Sequence, residues 1–338
     1  MQLDIVSKHR GAIYGLSILW VVIFHGADIN KVDYTFGNHV FDWLQSIISV
    51  GNIGVDVFLL LSGVSLYFSF HKNPDAYAFI KRRAVRIIPP VLIVFGVYWA
   101  VRCAMKGSAA DFIGRITLLQ FWLTGDQSIW FVSLIAVLYL LYPYIHWFLF
   151  AERVHTNIRF LVLIASAYVV VVSISFLAPA WYKQVEIALT RIPVFLVGCW
   201  LGRFVYEKKR VPALFGVLAV ALSIFFVFVL ESGLLRGTAR RFFYLVGGLS
   251  LAYAFALLFE LLEKSSLAKE TILKPLSFVG AFSLELYLTH IAINQIWRLG
   301  QWYVKGSLVQ YVCVAIAAII AAFLVMRLTN FIVKKIRA

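Results

Sequence analysis

Apolar residues fill every helical face over long stretches of this chain. Leu214–Leu230 and Val309–Met326 carry no charge and almost no polar side chain. A soluble amphipathic helix would show an apolar stripe with a period near 3.6 instead. A strand of a transmembrane barrel would alternate apolar and polar over about ten residues. Uninterrupted runs of this length match the ~20 residues that cross ~30 Å of hydrocarbon as a helix, and a helix satisfies its own backbone there. The pattern predicts ten spans, at roughly 11–29, 48–70, 85–104, 128–149, 159–178, 185–205, 212–231, 242–261, 275–296 and 309–332. The expected fold is an all-α, polytopic transmembrane bundle forming one membrane-embedded domain over 1–338. Its longest connections are about 28–47 and 105–127, and Phe112–Leu123 in the latter has the composition of an interfacial or re-entrant segment. No internal repeat is visible.

Composition strengthens this picture. Hydrophobic residues make up 62% of the 338 positions and charged residues 14%, against about 25% charge in a soluble domain. The net charge of +15 would suit nucleic acid in a soluble protein. In a membrane protein it reads as basic residues kept in cytoplasmic loops beside anionic lipid, so no nucleic-acid partner is expected. With both termini cytoplasmic, roughly two thirds of the 31 lysines and arginines fall on that side. Arg236, Arg240 and Arg241 are the outer exception. An even number of spans also puts the basic tail Lys334-Lys335-Ile336-Arg337 on the same side as the basic N-terminus. The first apolar run follows a short basic segment, as a signal peptide does. No small-residue cleavage site follows Phe24–His25, so it is read as a retained first helix. Cys103, Cys199 and Cys313 sit singly in apolar runs, with neither metal-ligand spacing nor a disulfide pattern. No metal is expected.

Ionisable groups inside spans are costly and are candidates for function. The first span holds His25, the second Asp56, the sixth Glu186 and Arg191, and the ninth Glu285 and His290. Alternating helix direction puts all six in outer halves, at a similar depth. Each also has a plainer reading. A histidine can simply hydrogen-bond a neighbouring helix, Asp56 can pair with Arg191, and Glu186 can be solvated. Glu285 precedes His290 by five residues, about 140° around a helix, so the two do not form a dyad on one face. Lys81, Arg82, Arg83 and Arg86, before Pro89-Pro90, form a second cluster at the cytoplasmic side. Arg82 and Arg86 share a helical face and suit a phosphate-bearing ligand, or equally an anchor to anionic lipid. Arg10 lies 15 residues before His25, with Tyr14 one turn above it.

Five segments carrying these residues resemble the acyltransferase-3 family of membrane O-acyltransferases. YGLSILWVVIFH over 14–25 is similar to the family's first helix, which ends in "VVxxH". GNIGVDVFLLLSGVSLYFSF over 51–70 resembles "GxGVDxFFxLSGF", and FIKRRAVRIIPP over 79–90 resembles "FxxRRxxRIxP". SFVGAFSLELYLTH over 277–290 resembles "GxxSYxIYLxH". A weaker fifth match is Trp130-Phe131 with Leu140-Leu141-Tyr142-Pro143. The chain also departs from the pattern. Tyr14 stands where the family has an arginine, so Arg10 is the candidate replacement. Ile135 and Ala136 stand where some members carry paired glutamates, and no hydrolase-like domain is expected after the tenth span.

The resemblance implies transfer of an acyl group, most often acetyl, from cytoplasmic acyl-CoA to a hydroxyl of a cell-surface or lipid-linked glycan, in a bacterial plasma membrane. Arg82, Arg83 and Arg86, with Arg10 and Tyr14, would meet the acetyl-CoA donor. His25 would be the general base for the acceptor hydroxyl or a transient acyl carrier, since a histidine can take and return a proton near neutral pH. His290, Asp56 and Glu285 would orient or polarise. The rival reading from another class is a transporter or flippase, in which polar groups at one depth line a path and Pro193 breaks a helix. Such a protein would leave acyl-CoA intact.

Overall fold

The structure, a computed structural model, describes every residue except Met1, Phe36, Gly107, Arg153, Tyr303 and Ala338. Arg153, one of the basic residues assigned to a cytoplasmic loop, thus lies outside the described residues. The chain is all-helical, with no strand among the described residues. Its principal helices are α1 (Arg10–Asp28), α2 (Gly54–Lys72), α3 (Ala76–Val91), α4 (Val97–Lys106), α5 (Ala109–Ile116), α6 (Gln120–Thr124), α7 (Trp130–Phe150), α8 (Thr156–Leu177), α9 (Pro179–Leu189), α10 (Ile192–Tyr206), α11 (Leu214–Glu231), α12 (Gly237–Leu262), α13 (Lys274–Ala281), α14 (Ser283–Leu299) and α15 (Leu308–Arg337). Among the described residues eight helical segments have the length and hydropathy to cross a membrane, or up to ten if two bent pairs each count as one span. This is an integral membrane protein with the expected polytopic bundle.

Three of the ten expected spans are interrupted well inside their bounds, and each interruption has a local cause; the second merely starts late, at Gly54 after the tight turn Gly51–Ile53. The third begins at Ala76, well before the expected start, because the basic segment 81–86 is itself helical. Pro89 and Pro90 lie near its end, and the wide turn Leu92–Gly96 follows at once. Proline removes an N–H and crowds the preceding turn, and a widened π turn accommodates such a fault. The sixth breaks at Thr190–Arg191 and restarts with Pro193 in the first turn of α10, where a missing N–H costs nothing. The ninth breaks at Phe282, so Glu285 falls in the first turn of α14 rather than in mid-helix. The connection at 105–127 is also ordered, as α5 and α6.

Contacts group the chain into two compact units. The first comprises Met1–Val21, Val50–Phe79 and Leu138–Ala281. Its centre is the pairing of α2 with α10. A Cβ at Gly63 would stand 2.6 Å from the Cys199 nitrogen and the Phe195 oxygen, so these helices meet backbone to backbone, as small residues permit in a bilayer. Helices α11 and α12 pair beside them. The second unit comprises Val22–Ser49, Ile80–Val137 and Phe282–Ala338. Here α14 packs along α15, and the Thr289 hydroxyl donates to the Ala318 carbonyl at 2.9 Å. The candidate chemistry centres on this second unit.

Candidate functional site

His25 and His290 are partners. His25 Nδ1 lies 2.8 Å from His290 Nε2, although the residues are 265 positions apart. The direction of that hydrogen bond follows from a third group. His290 Nδ1 lies 2.8 Å from the carbonyl oxygen of Leu286, which can only accept, so Nδ1 carries the proton. His290 Nε2 is then the acceptor, and His25 Nδ1 must donate to it. The chain of donors ends at His25 Nε2, a lone pair with no hydrogen-bond partner among the described residues. His290 is buried, whereas His25 is half-buried. One ring is therefore locked in place, and the other presents a basic nitrogen to whatever enters.

Polar rungs hold this pair. Asn294, one turn beyond His290, donates to the His290 carbonyl at 2.9 Å, and its own carbonyl accepts from Asn30 at 3.0 Å. Both asparagines are buried. One further turn along, Arg298 donates to the Ile29 carbonyl at 2.7 Å. The end of α1 is thus tied to α14 at successive turns, with the histidines as one rung. On its other side, the His290 ring meets Tyr287 edge-on at 5.7 Å, and Tyr287 meets Phe131 at 5.4 Å. Sequence reasoning missed the asparagine rungs. Their signal was the spacing: 290, 294 and 298 are all polar and all on one helical face.

Glu285, expected to orient or polarise, has a partner of its own. It pairs with Arg86, whose two terminal nitrogens reach its two oxygens at 2.6 and 3.2 Å. Glu285 is fully buried, while the Arg86 side chain is 40% exposed. Two groups in contact share a level. The expectation that Arg86 lies at the cytoplasmic surface while Glu285 lies in an outer half therefore needs correcting. The helix break at Phe282 and the early start of α3 are the physical reason. Arg82 and Arg83 lie on the same helix as Arg86 and are half-buried.

The remaining candidates belong to the first unit. Asp56 is fully buried and accepts from Arg191 Nε at 3.1 Å. The Arg191 guanidinium lies over the Tyr244 ring, and Tyr244 in turn exchanges hydrogen bonds with Asn52. Gly248 lets the backbone of α12 close on Asp56. This is the pairing of Asp56 with Arg191 that the sequence offered as the plainer reading. Glu186 pairs with Arg241 at 2.8 Å, so one arginine of the 236–241 cluster neutralises it. Arg10 donates to the Ser65 hydroxyl at 3.0 Å. Tyr14 stacks on Phe58 at 5.1 Å, its phenol beside Ser62 and Ser65.

One group among the described residues has metal-ligand spacing: His9, Glu260 and Glu263. Lys8 already supplies a cation there, with Nζ 2.9 Å from Glu260 and 2.6 Å from Glu263. The cluster reads as a clasp that ties the N-terminal segment to the end of α12.

Residues 13–327 match the acyltransferase-3 family model, described as an acyltransferase domain. The chain belongs to this family. All five segments quoted above lie inside the matched region, whereas Arg10 precedes it. Among curated relatives, the O-acetyltransferase OatA of Staphylococcus aureus strains NCTC 8325 and COL is 27% identical over 309 residues, covering 78% of this chain and 49% of the relative. The chain thus spans about half the length of the curated relatives it matches. No solved structure matches it.

Proposed function

We propose that this chain is a membrane O-acetyltransferase that moves an acetyl group from cytoplasmic acetyl-CoA to a hydroxyl of a cell-envelope glycan. The observation that carries this reading is the His25–His290 pair, with its free basic nitrogen at His25 Nε2. The family match and the likeness to an O-acetyltransferase support it. In this scheme His25 Nε2 takes the proton of the acceptor hydroxyl as that oxygen attacks the thioester carbonyl. The carbon–sulfur bond then breaks, the ester remains on the glycan, and the proton passes to the leaving coenzyme A sulfur. His290 accepts the hydrogen bond of His25 Nδ1–H throughout. It holds the productive tautomer and stabilises the imidazolium while it exists, as an orienting partner does for the base of a catalytic triad.

Arg82 and Arg83 are assigned to the phosphates of the donor, where guanidinium forks bind oxygens bidentately. Arg86, held by Glu285, sets the position of that helix. Taken with both termini in the cytoplasm, the helix that carries Arg82 and Arg83 begins on the side that holds acyl-CoA. The test is to give purified protein in nanodiscs acetyl-CoA and surface glycan stripped of its esters with mild base. Release of the coenzyme A thiol, with new acetyl esters on the glycan by mass spectrometry, is the expected result. Intact acetyl-CoA in the presence of folded protein would favour the transport reading instead.

A further inference from the structure

We propose that Tyr311 and Tyr34 are positioning residues for His25, and that α15 is the brace that sets the spacing of the histidine pair. The inference rests on the acyl-transfer reading above and concerns what holds its base in place. His25 stands near the C-terminal end of α1, where helices fray most readily. Here the carbonyls around it are all engaged. The Tyr311 hydroxyl donates to the Val22 carbonyl, and the Tyr34 hydroxyl donates to the Ile23 carbonyl at 3.3 Å. A carbonyl has two lone pairs, so each of these can serve the helix and a tyrosine together. The His25 carbonyl accepts from the Ile29 and Asn30 N–H groups at 2.9 and 3.2 Å, and the Gly26 carbonyl accepts from the Val32 N–H at 2.9 Å. Both tyrosines are buried. With each hydroxyl proton committed to a backbone carbonyl, neither tyrosine is an acid for the reaction; what they hold is the turn.

A buried tyrosine finds an acceptor somewhere. These two differ in that both come to the turn carrying His25, one from the loop just after α1 and the other from the last helix. They meet over Gly26, the residue next to the base. A Cβ there would overlap the Tyr34 hydroxyl and stand 2.6 Å from the Tyr311 ring, so glycine is what lets both rings close on α1. The same last helix also reaches the other histidine. Thr289, beside His290, donates its hydroxyl to the Ala318 carbonyl at 2.9 Å. Tyr311 and Ala318 are seven residues apart, which is two turns on one face of α15. One helix thus holds the turn of His25 at Tyr311 and the turn of His290 at Ala318. The 2.8 Å between the two rings is therefore set from outside the pair. That spacing has kinetic weight, because displacing a catalytic group by about 1 Å costs about 10²-fold in rate.

The test is kinetic, with wild-type, Tyr311→Phe and Tyr34→Phe proteins in nanodiscs, using acetyl-CoA and the ester-stripped surface glycan. Each substitution is also made in a His25→Ala background. Phenylalanine keeps the ring and its packing and removes only the hydroxyl. Loss of one neutral hydrogen bond lets the turn take up other positions, so kcat should fall about three- to tenfold, with the KM for both substrates unchanged. In the His25→Ala background the same substitutions should lower the residual turnover no further, because their effect passes through the missing ring. An unchanged kcat in both variants, or an equal fall with and without His25, would overturn the assignment and leave the tyrosines as packing. A wild-type protein that transfers nothing to the glycan would instead overturn the acyl-transfer reading on which the assignment rests.

Discussion

Arg86 grips the buried carboxylate of Glu285 with both arms of its guanidinium, at 2.6 and 3.2 Å. The two sides of this pair are unequal. Glu285 is sealed from solvent, whereas the Arg86 side chain is 40% exposed. Stranding a charge in a dry site costs about 3–5 kcal/mol for a fully buried pair, but the half-exposed Arg86 side chain can turn its head away from the packed interior. Arg86→Ala should therefore destabilise the protein clearly more than Glu285→Gln. The double variant should recover part of the loss. Thermal unfolding in detergent, followed by loss of the monodisperse peak, measures this. Equal losses from the two single variants would show that the burial asymmetry does not govern the pair.

His290 acts through His25, so its replacement should depend on what the new side chain can accept. His290→Leu leaves the His25 Nδ1–H without a partner, and kcat should fall by about 10²-fold or more while the KM for acetyl-CoA stays put. His290→Gln retains an acceptor oxygen and should keep a measurable part of the rate. Asn294→Leu, which removes the rung above, should lie between wild type and His290→Leu. If leucine and glutamine at 290 behave alike, the hydrogen bond to His25 has no kinetic role.

Arg10 sits one turn below Tyr14, the position at which the family pattern has an arginine, and precedes the matched region. It donates to Ser65. If it replaces the missing arginine as a donor contact, Arg10→Ala should weaken coenzyme A binding, and adding Tyr14→Arg should restore part of it. Arg10→Lys keeps the positive charge at that end of the helix but loses the fork, so it should bind the donor weakly. Full activity of Arg10→Lys would reduce Arg10 to a topological anchor.

The clasp at the N-terminus should open in acid. A hydrogen bond from Lys8 holds the Glu263 carboxyl below its ordinary value of 4.5, and the bond to Glu260 raises Lys8 above its ordinary 10.5. A depressed carboxyl contributes stability above its unfolded value and loses it as pH falls through the folded one. Lys8 stays charged throughout that range. Hydrogen exchange of residues 2–9 should therefore be slow at neutral pH and quicken below about pH 4.5. Exchange that does not change with pH once its intrinsic rate is corrected would rule the clasp out.

The spans were legible because each is a long run that only a bilayer explains, and their expected bounds mostly fall within a few residues of α1, α7, α8, α11 and α15. The breaks were harder. Pro89-Pro90 and Pro193 gave a local hint, but Gly280 and Ser283 beside Phe282 are small residues that also pack within membrane helices, so they marked no break by themselves. The six intramembrane ionisable residues were visible singly. Which of them meet is set by tertiary packing between segments more than a hundred residues apart. Counting helix direction put His25 and His290 at one depth, and they are in contact. The same count separated Arg86 from Glu285, because it assumed unbroken helices.

The central claim is that His25 Nε2 is the base for the acceptor hydroxyl, and it meets its most direct test in the turnover of His25→Ala protein in nanodiscs. Coenzyme A thiol release should be followed with acetyl-CoA and ester-stripped glycan, alongside acetyl-CoA affinity in the same preparation. A positioned base contributes about 10²–10⁴-fold, so turnover should fall by that factor while donor affinity is unchanged. Near-normal turnover by stably inserted His25→Ala protein would contradict the assignment.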